Sequence, residues 1–139
     1  MSISAAFYQR LTNDAELGTL ISKYNGIPAV FTSAPVPDNA TLPYIVTAGQ
    51  ISDTTEIATN TKNRTATQFM RDIRIYTEQS GSMAKIETIG EKVWALFHKQ
   101  PLSIDGWTVL EVKASRPVLY PQDGVYGVYV TVIVTMQQN

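Results

Sequence analysis

Few side chains in this sequence could do covalent or acid–base chemistry. There is no cysteine, which excludes a thiolate nucleophile, a disulfide framework and a zinc–thiolate site. A single histidine, His98, leaves no pair for a metal and weakens any histidine-based triad. The carboxylates Asp53, Glu56, Asp72, Glu78, Asp105, Glu111 and Asp123 are scattered, and their spacing pairs none of them. Asp105 and Asp123 each precede a glycine, a placement that turn formation explains without catalysis. His98 falls at the end of a helical pattern, where a surface or capping role suits the helix dipole. The sequence has no Gly-rich phosphate loop, dinucleotide fingerprint, HExxH or GxSxG element. Lys62, Arg64, Arg71 and Arg74 gather around one loop and strand, but Asp53, Glu56, Asp72 and Glu78 dilute them into a mixed-charge surface. The expectation is a protein that is not an enzyme and holds no cofactor or metal.

The whole-chain balance points the same way. Among 139 residues, 11 Lys and Arg stand against 12 Asp and Glu, for a net charge of -1. Sequence-independent nucleic-acid binding needs a basic excess to displace counterions, and none exists here. Hydrophobic residues make up 44%, too many for a disordered chain and enough for one core in one domain, residues 1–139. The first residues lack a basic stretch followed by a long apolar one. No run approaches the roughly 18 apolar residues of a membrane span. These features predict a soluble, membrane-free protein made in a cytoplasm.

The elements that must position any working surface follow from periodicity. Ala5, Tyr8, Leu11, Ala15 and Leu20 or Ile21 recur at helical spacing over residues 2–24, with Asn13 or Asp14 able to cap a restart. Asn25-Gly26 reads as a turn and Ile27 to Phe31 as a short strand before the proline-rich stretch at 35–37. A second strand opens at Leu42-Pro43-Tyr44 and runs to about Ile51. Residues 52–65 read first as a solvated loop, with the tip of a long hairpin as the alternative because threonine favours strands. Phe69, Ile73 and Ile75 share a face of a strand over 67–78, which Arg71 interrupts. Ile86, Ile89, Val93, Leu96 and Phe97 form the stripe of a helix over 83–99, with an N-cap offered by the Ser80-Gly81-Ser82 break. Asp105-Gly106 marks a hairpin into a strand whose Leu110, Val112 and Ala114 share a face. Residues 116–121 are extended, and Gln122-Asp123-Gly124 is a turn. The last strand, 125–136, puts Val128, Val130, Val132 and Val134 on one side. The fold class is α+β: a mostly antiparallel sheet with helices packed on one face, in two layers.

Seven tyrosines stand out in a chain so poor in reactive groups. Tyr44, Tyr76, Tyr120, Tyr126 and Tyr129 lie in or beside strands, at the margin of the core or at an interface. A sheet of this order also leaves edges that can template a neighbour. The economical reading is an interaction module.

The order of elements resembles the phage tail terminator family, the tail completion or tail-to-head joining proteins. The resemblance rests on the strand entry Ala40-Thr41-Leu42-Pro43-Tyr44-Ile45-Val46 and on Gln50-Ile51-Ser52-Asp53. It continues through Ile73-Arg74-Ile75-Tyr76-Thr77, the helix end Ala95-Leu96-Phe97-His98, Leu102-Ser103-Ile104 with Gly106, and Pro121-Gln122-Asp123-Gly124. It covers nearly the whole chain. At the end of the last strand, where such proteins often carry an aromatic or arginine, this chain has Thr135-Met136-Gln137. The resemblance implies a structural subunit in the head-proximal part of a virion tail, assembled in the host cytoplasm. Copies would form a hexameric ring on the tail tube, stop its polymerisation and present a joining surface to a head or neck connector protein. Genome DNA would pass through the lumen without sequence-specific binding. Within that picture Thr55, Ile57, Lys62 and Arg64 on the 52–65 segment would contact the tube or a neighbour. Tyr120 and Tyr129 would serve the ring interface. Three alternatives remain open at this point: another head–tail connector, neck or tube-like subunit; a small-ligand-binding or enzymatic α+β domain; and a cellular α+β binding domain.

Overall fold

A computed structural model of the chain describes residues 2–47, 52–58, 65–122 and 124–139. The N-terminal helical region is two helices, because two caps divide it. Ser2 accepts a hydrogen bond from the Ala5 N–H (3.1 Å) and starts α1, Ile3–Thr12. Asp14 accepts from the Leu17 N–H (2.9 Å) and starts α2, Ala15–Leu20. Asn25 and Gly26 both take positive φ, 54° and 83°, and make the tight turn between β1 (Lys23–Tyr24) and β2 (Ile27–Pro28). The apolar piece expected as one strand is therefore two, since β3, Val30–Phe31, leaves that small hairpin and joins the main sheet.

The main sheet is built on two long strands, β6 (Thr65–Glu78) and β9 (Val125–Gln138), paired antiparallel from Ala66↔Gln137 to Glu78↔Val125 without a register shift. Two short strands share the outer edge of β6: β4 (Tyr44–Val46) pairs with its end and β5 (Ser52–Ala58) with its beginning. Two more share the outer edge of β9: β7 (Trp107–Ala114) and β8 (Val118–Gln122). The β3–β4 pair is the parallel exception in an otherwise antiparallel sheet. The 52–65 segment is thus not the solvated loop first expected. Its described part is a strand lying in the sheet, consistent with the β propensity of its threonines. The strand expected to reach Ile51 is β4, ending at Val46; residues 48–51 lie outside the described residues, as does Asp123 of the expected 122–124 turn.

Helix α3, Ala84–Phe97, lies across β6 and β9. Its first turn is held by Ser82, whose Oγ accepts from the Ala84 N–H (3.2 Å). It stops before Lys99, which takes a left-handed φ of 57°. Arg10 of α1 donates to the Leu96 carbonyl (2.8 Å) in its last turn and to the Pro101 carbonyl, supplying a cation where the helix ends. The core between the layers holds Phe7, Leu11 and Leu17 with Ile86, Ile89, Val93 and Phe97 on the helical side. Ile45, Ile73, Ile75 and alternate valines of β9 face them. Phe7 and Phe97 meet at 4.8 Å between ring centroids. This is the two-layer α+β arrangement, with the helices on one face.

One position departs from its expected face. Leu110 is 52% exposed, because a bulge between Val109 and Glu111 turns it out and returns Val112 and Ala114 to the core. Gly90 belongs to the buried stripe of α3, where an added Cβ would sit 3.1 Å from Pro117. Leu110→Ala, at this exposed position, changes unfolding free energy by about 0.5 kcal/mol or less. Ile73→Ala, in the sealed core, costs about 2–5 kcal/mol. Urea titration of both variants measures the contrast.

Candidate interaction surface

Among the described residues, no helix covers the side of β6 and β9 away from α3. Alternation puts Tyr76, Arg74, Asp72, Met70 and Gln68 of β6 on that side, opposite Gly127, Tyr129, Thr131, Ile133 and Thr135 of β9. These are half-buried side chains, apart from the exposed Arg74 and the buried Gly127. Asp72 is fixed by the Thr131 hydroxyl, which donates to it at 2.8 Å, and by Arg74 at 3.8 Å.

A row of aromatic rings crosses this face. Tyr24 contacts Phe31 (5.4 Å between centroids), Phe31 contacts Tyr44 (5.8 Å), and Tyr44 contacts Tyr76 (5.6 Å). Tyr76 contacts Tyr120 (6.1 Å), and Tyr120 contacts Tyr129 (5.6 Å). The tilted and edge-on geometries are those that ring quadrupoles favour. The row runs from β1 through β3, β4 and β6 to β8 and β9, so it ties both flanks of the sheet together. It is continuous because of one glycine. Gly127 lies between Tyr76 and Tyr120 on the cross-strand register. A Cβ there would stand 3.1 Å from Tyr120 Cζ and 3.2 Å from the Tyr120 carbonyl oxygen. Without a side chain in between, the two tyrosines close over β9.

Tyr120 and Tyr129, expected as exposed tyrosines of an interface, are half-buried members of this row. The Tyr120 hydroxyl is buried near Tyr76 but makes no well-formed hydrogen bond with it. Burial first, then Tyr76, pushes the Tyr120 phenol above its ordinary value of 10.0. Burial and Tyr76 push Tyr44 the same way. Thr55 and Ile57 lie in β5 opposite Gln68 and Ala66, at the far end of the sheet from the aromatic row. The structure therefore does not bring Thr55 and Ile57 together with Tyr120 and Tyr129. Lys62 and Arg64 lie outside the described residues. Sequence reading missed Tyr24 and Phe31 as members of the row, and it missed the exposed Ile27, Val118 and Leu119. The usable signal was Gly127 interrupting a β-branched strand, which marks a close approach.

The groups that could have done chemistry have structural positions. His98 Nδ1 accepts from the Ala114 N–H (3.1 Å), and its ring stacks on Trp94 at 4.7 Å. Trp94 also carries the Arg116 guanidinium over its ring at 3.7 Å, itself paired with Glu91 at 2.8 Å. Arg71 sits on the helix side of β6 and donates to Ser4 Oγ (2.8 Å). Burial lowers its pKa from the ordinary value. Among the described residues no group of three or more His, Asp or Glu side chains converges to hold a metal, and no helix is long and apolar enough to cross a membrane.

No family model matches the sequence, and no curated protein matches it either. The fold, however, is similar to a chain in the virion of a native gene transfer agent (GTA) particle. The TM-score is 0.79 at 16% sequence identity, covering 98% of this chain and 95% of that one.

Two expectations follow from the row. Gly127→Val costs about 1–3 kcal/mol by overpacking against Tyr120. The cost falls when Tyr120 is first cut to alanine, and a double-mutant cycle by thermal melts reads the coupling. The second concerns pH. A phenol whose folded pKa is raised loses its proton first in the unfolded chain. The stability it secures is complete below about pH 10 and is lost as pH rises toward the folded value. Tyr120→Phe therefore flattens the alkaline limb of the stability–pH curve while leaving stability at pH 7 equal or higher, because no good hydrogen bond is removed.

Proposed function

We propose that the chain is a structural protein of a phage-like virion, forming a ring that caps the tail tube, ends its polymerisation and offers the joining surface to the head or neck. The observation that carries this reading is the fold likeness to a chain of a GTA virion, end to end in both chains. The sequence resemblance to tail terminators supports the finer role. A ring needs a heterologous interface, in which two different patches of one subunit meet between copies and the rotation closes. An open sheet with distinct flanks offers such patches. A net charge of -1 suits a lumen through which DNA must pass without being retained, since each neutralised phosphate would add salt-dependent affinity. No catalytic step is part of this function. The likeness to a virion chain suits a neck or tube-like subunit as well, and position on the particle separates the two.

The test is assembly in the presence of tail tubes. Purified chain added to growing tubes gives rings at one end by negative-stain microscopy and stops elongation. Particles made without the chain carry tubes of uncontrolled length. Rings found along the tube, or at the distal end, would favour the tube-like reading. Removing residues 55–62 deletes most of β5 and the positions expected to touch the tube; the shortened subunit keeps its far-ultraviolet dichroism and no longer caps. Tails of normal length with this variant would remove the segment from the contact.

A further inference from the structure

Arg71 breaks the apolar face of β6, between Phe69 and the sealed Ile73 and opposite the buried Val132. It lines an open hollow of about 530 Å³ beside the first turn of α1. Ser4 of that turn accepts from Nη1, and this is the one hydrogen bond that Arg71 makes among the described residues. Nε is buried without an acceptor; Nη2 has none either and stays accessible. No carboxylate of the described residues forms an ion pair with Arg71. One close by would raise its pKa, and burial lowers it instead. The Asp105-Gly106 turn, with Gly106 at a φ of 82°, bridges Ile104 to Trp107, and the Trp107 side chain forms part of the wall. Phe69 meets the Trp107 ring edge-on at 6.0 Å between centroids, and Met136 completes the apolar lining.

We propose that this hollow is a binding site for a single carboxylate carried on an apolar stem. The Arg71 guanidinium supplies the charge and the N–H donors of its Nη end, in the fork that a planar carboxylate fits. Ser4 holds the guanidinium from the side. Phe69, Trp107 and Met136 receive the stem. Among the described residues the lining has one cation and also one carboxylate, Asp105. A dianion such as phosphate is therefore disfavoured, because its second charge meets repulsion and no second cation. A purely structural role explains Arg71 less well. Taking a guanidinium out of water without a counter-ion costs stability, and a methionine would fill the same place without that cost. A group retained against stability is the pattern of a binding residue. The site lies on the helix side of the sheet, away from the aromatic row, and does not depend on the ring reading. The end of a protein chain and a free organic acid both offer this carboxylate, with the same chemistry.

The test is a nuclear magnetic resonance titration of the whole chain with 3-phenylpropionate, its uncharged amide and inorganic phosphate. The acid shifts the Arg71 Nε–H and Trp107 Nε1–H signals together and saturably, with a Kd on the order of 1 mM, and leaves the Trp94 indole signal in place. The amide and phosphate do not. Arg71→Met keeps its circular dichroism and melts at the same temperature or higher, yet weakens binding roughly tenfold or more. Arg71→Lys, which keeps the charge and loses the fork, weakens it too. The comparison of acid with amide uses the unaltered chain, so it decides the matter whether or not a variant folds. A short peptide ending in Ala-Phe, tested with a free and with an amidated terminus, separates the two sources. Binding of the free-ended peptide tighter than that of 3-phenylpropionate assigns the site to a protein terminus; the reverse assigns it to a free acid. Equal shifts with the amide, tighter binding of phosphate, binding unchanged in Arg71→Met, or no saturable shift would each overturn the proposal.

Discussion

The pairing of β6 with β9 is the constraint on which everything else depends. It runs without a bulge from Glu78↔Val125 to Ala66↔Gln137, and a one-residue slip would exchange every side chain between the faces. The valines at 128, 130, 132 and 134 settle the choice, because their shared side is the one that α3 covers. With that face committed to the core, the other is the side that the aromatic row crosses. Two pairs of short strands then extend the long pair on either side: β4 and β5 along β6, β7 and β8 along β9. The result is a broad sheet with two unlike flanks.

The second face is not a plain solvated surface. Six rings from Tyr24 to Tyr129 cross it in contact. Their geometry depends on the missing side chain at Gly127. Tyrosine suits this task because its ring packs while its hydroxyl tolerates water. Leu or Ile there would give an exposed apolar patch prone to indiscriminate association. Lys or Glu would carry side-chain entropy that binding must overcome. The row stiffens the face and holds its two flanks in fixed relation. The same stiffness explains the unpaired hydroxyl of Tyr120, since the ring is placed by packing over Gly127 and not by a partner for its oxygen.

Much of this was legible in the sequence where the rule is local. The cap at Asp14, the Asn25-Gly26 turn, the stripe of α3 and the alternation of β9 follow from side chains within a few residues of one another. What the sequence hid is non-local. The 52–58 strand carries almost no hydrophobic alternation, and its identity comes from its partner β6. Leu110 matches the core pattern and still faces out, because a bulge is a property of two strands, not one. The aromatic row joins residues more than a hundred positions apart, and only the register reveals it. Thr55 and Ile57 were legible as an unusual segment, but their distance from Tyr120 and Tyr129 was not.

The scarcity of reactive groups takes on a physical meaning against this architecture. Only 17% of residues are charged, below the roughly 25% typical of soluble domains. The histidine and the tryptophan–arginine stack around it fasten α3 to β7 and the segment beyond it. Arg10 ends a helix, and Asp72 is bound within the sheet. These polar groups each hold two parts of the fold together. Such rigidity suits the structural role proposed above. In this chain a sheet of two long strands, a glycine without a side chain in the way, and a row of rings supply that stiffness.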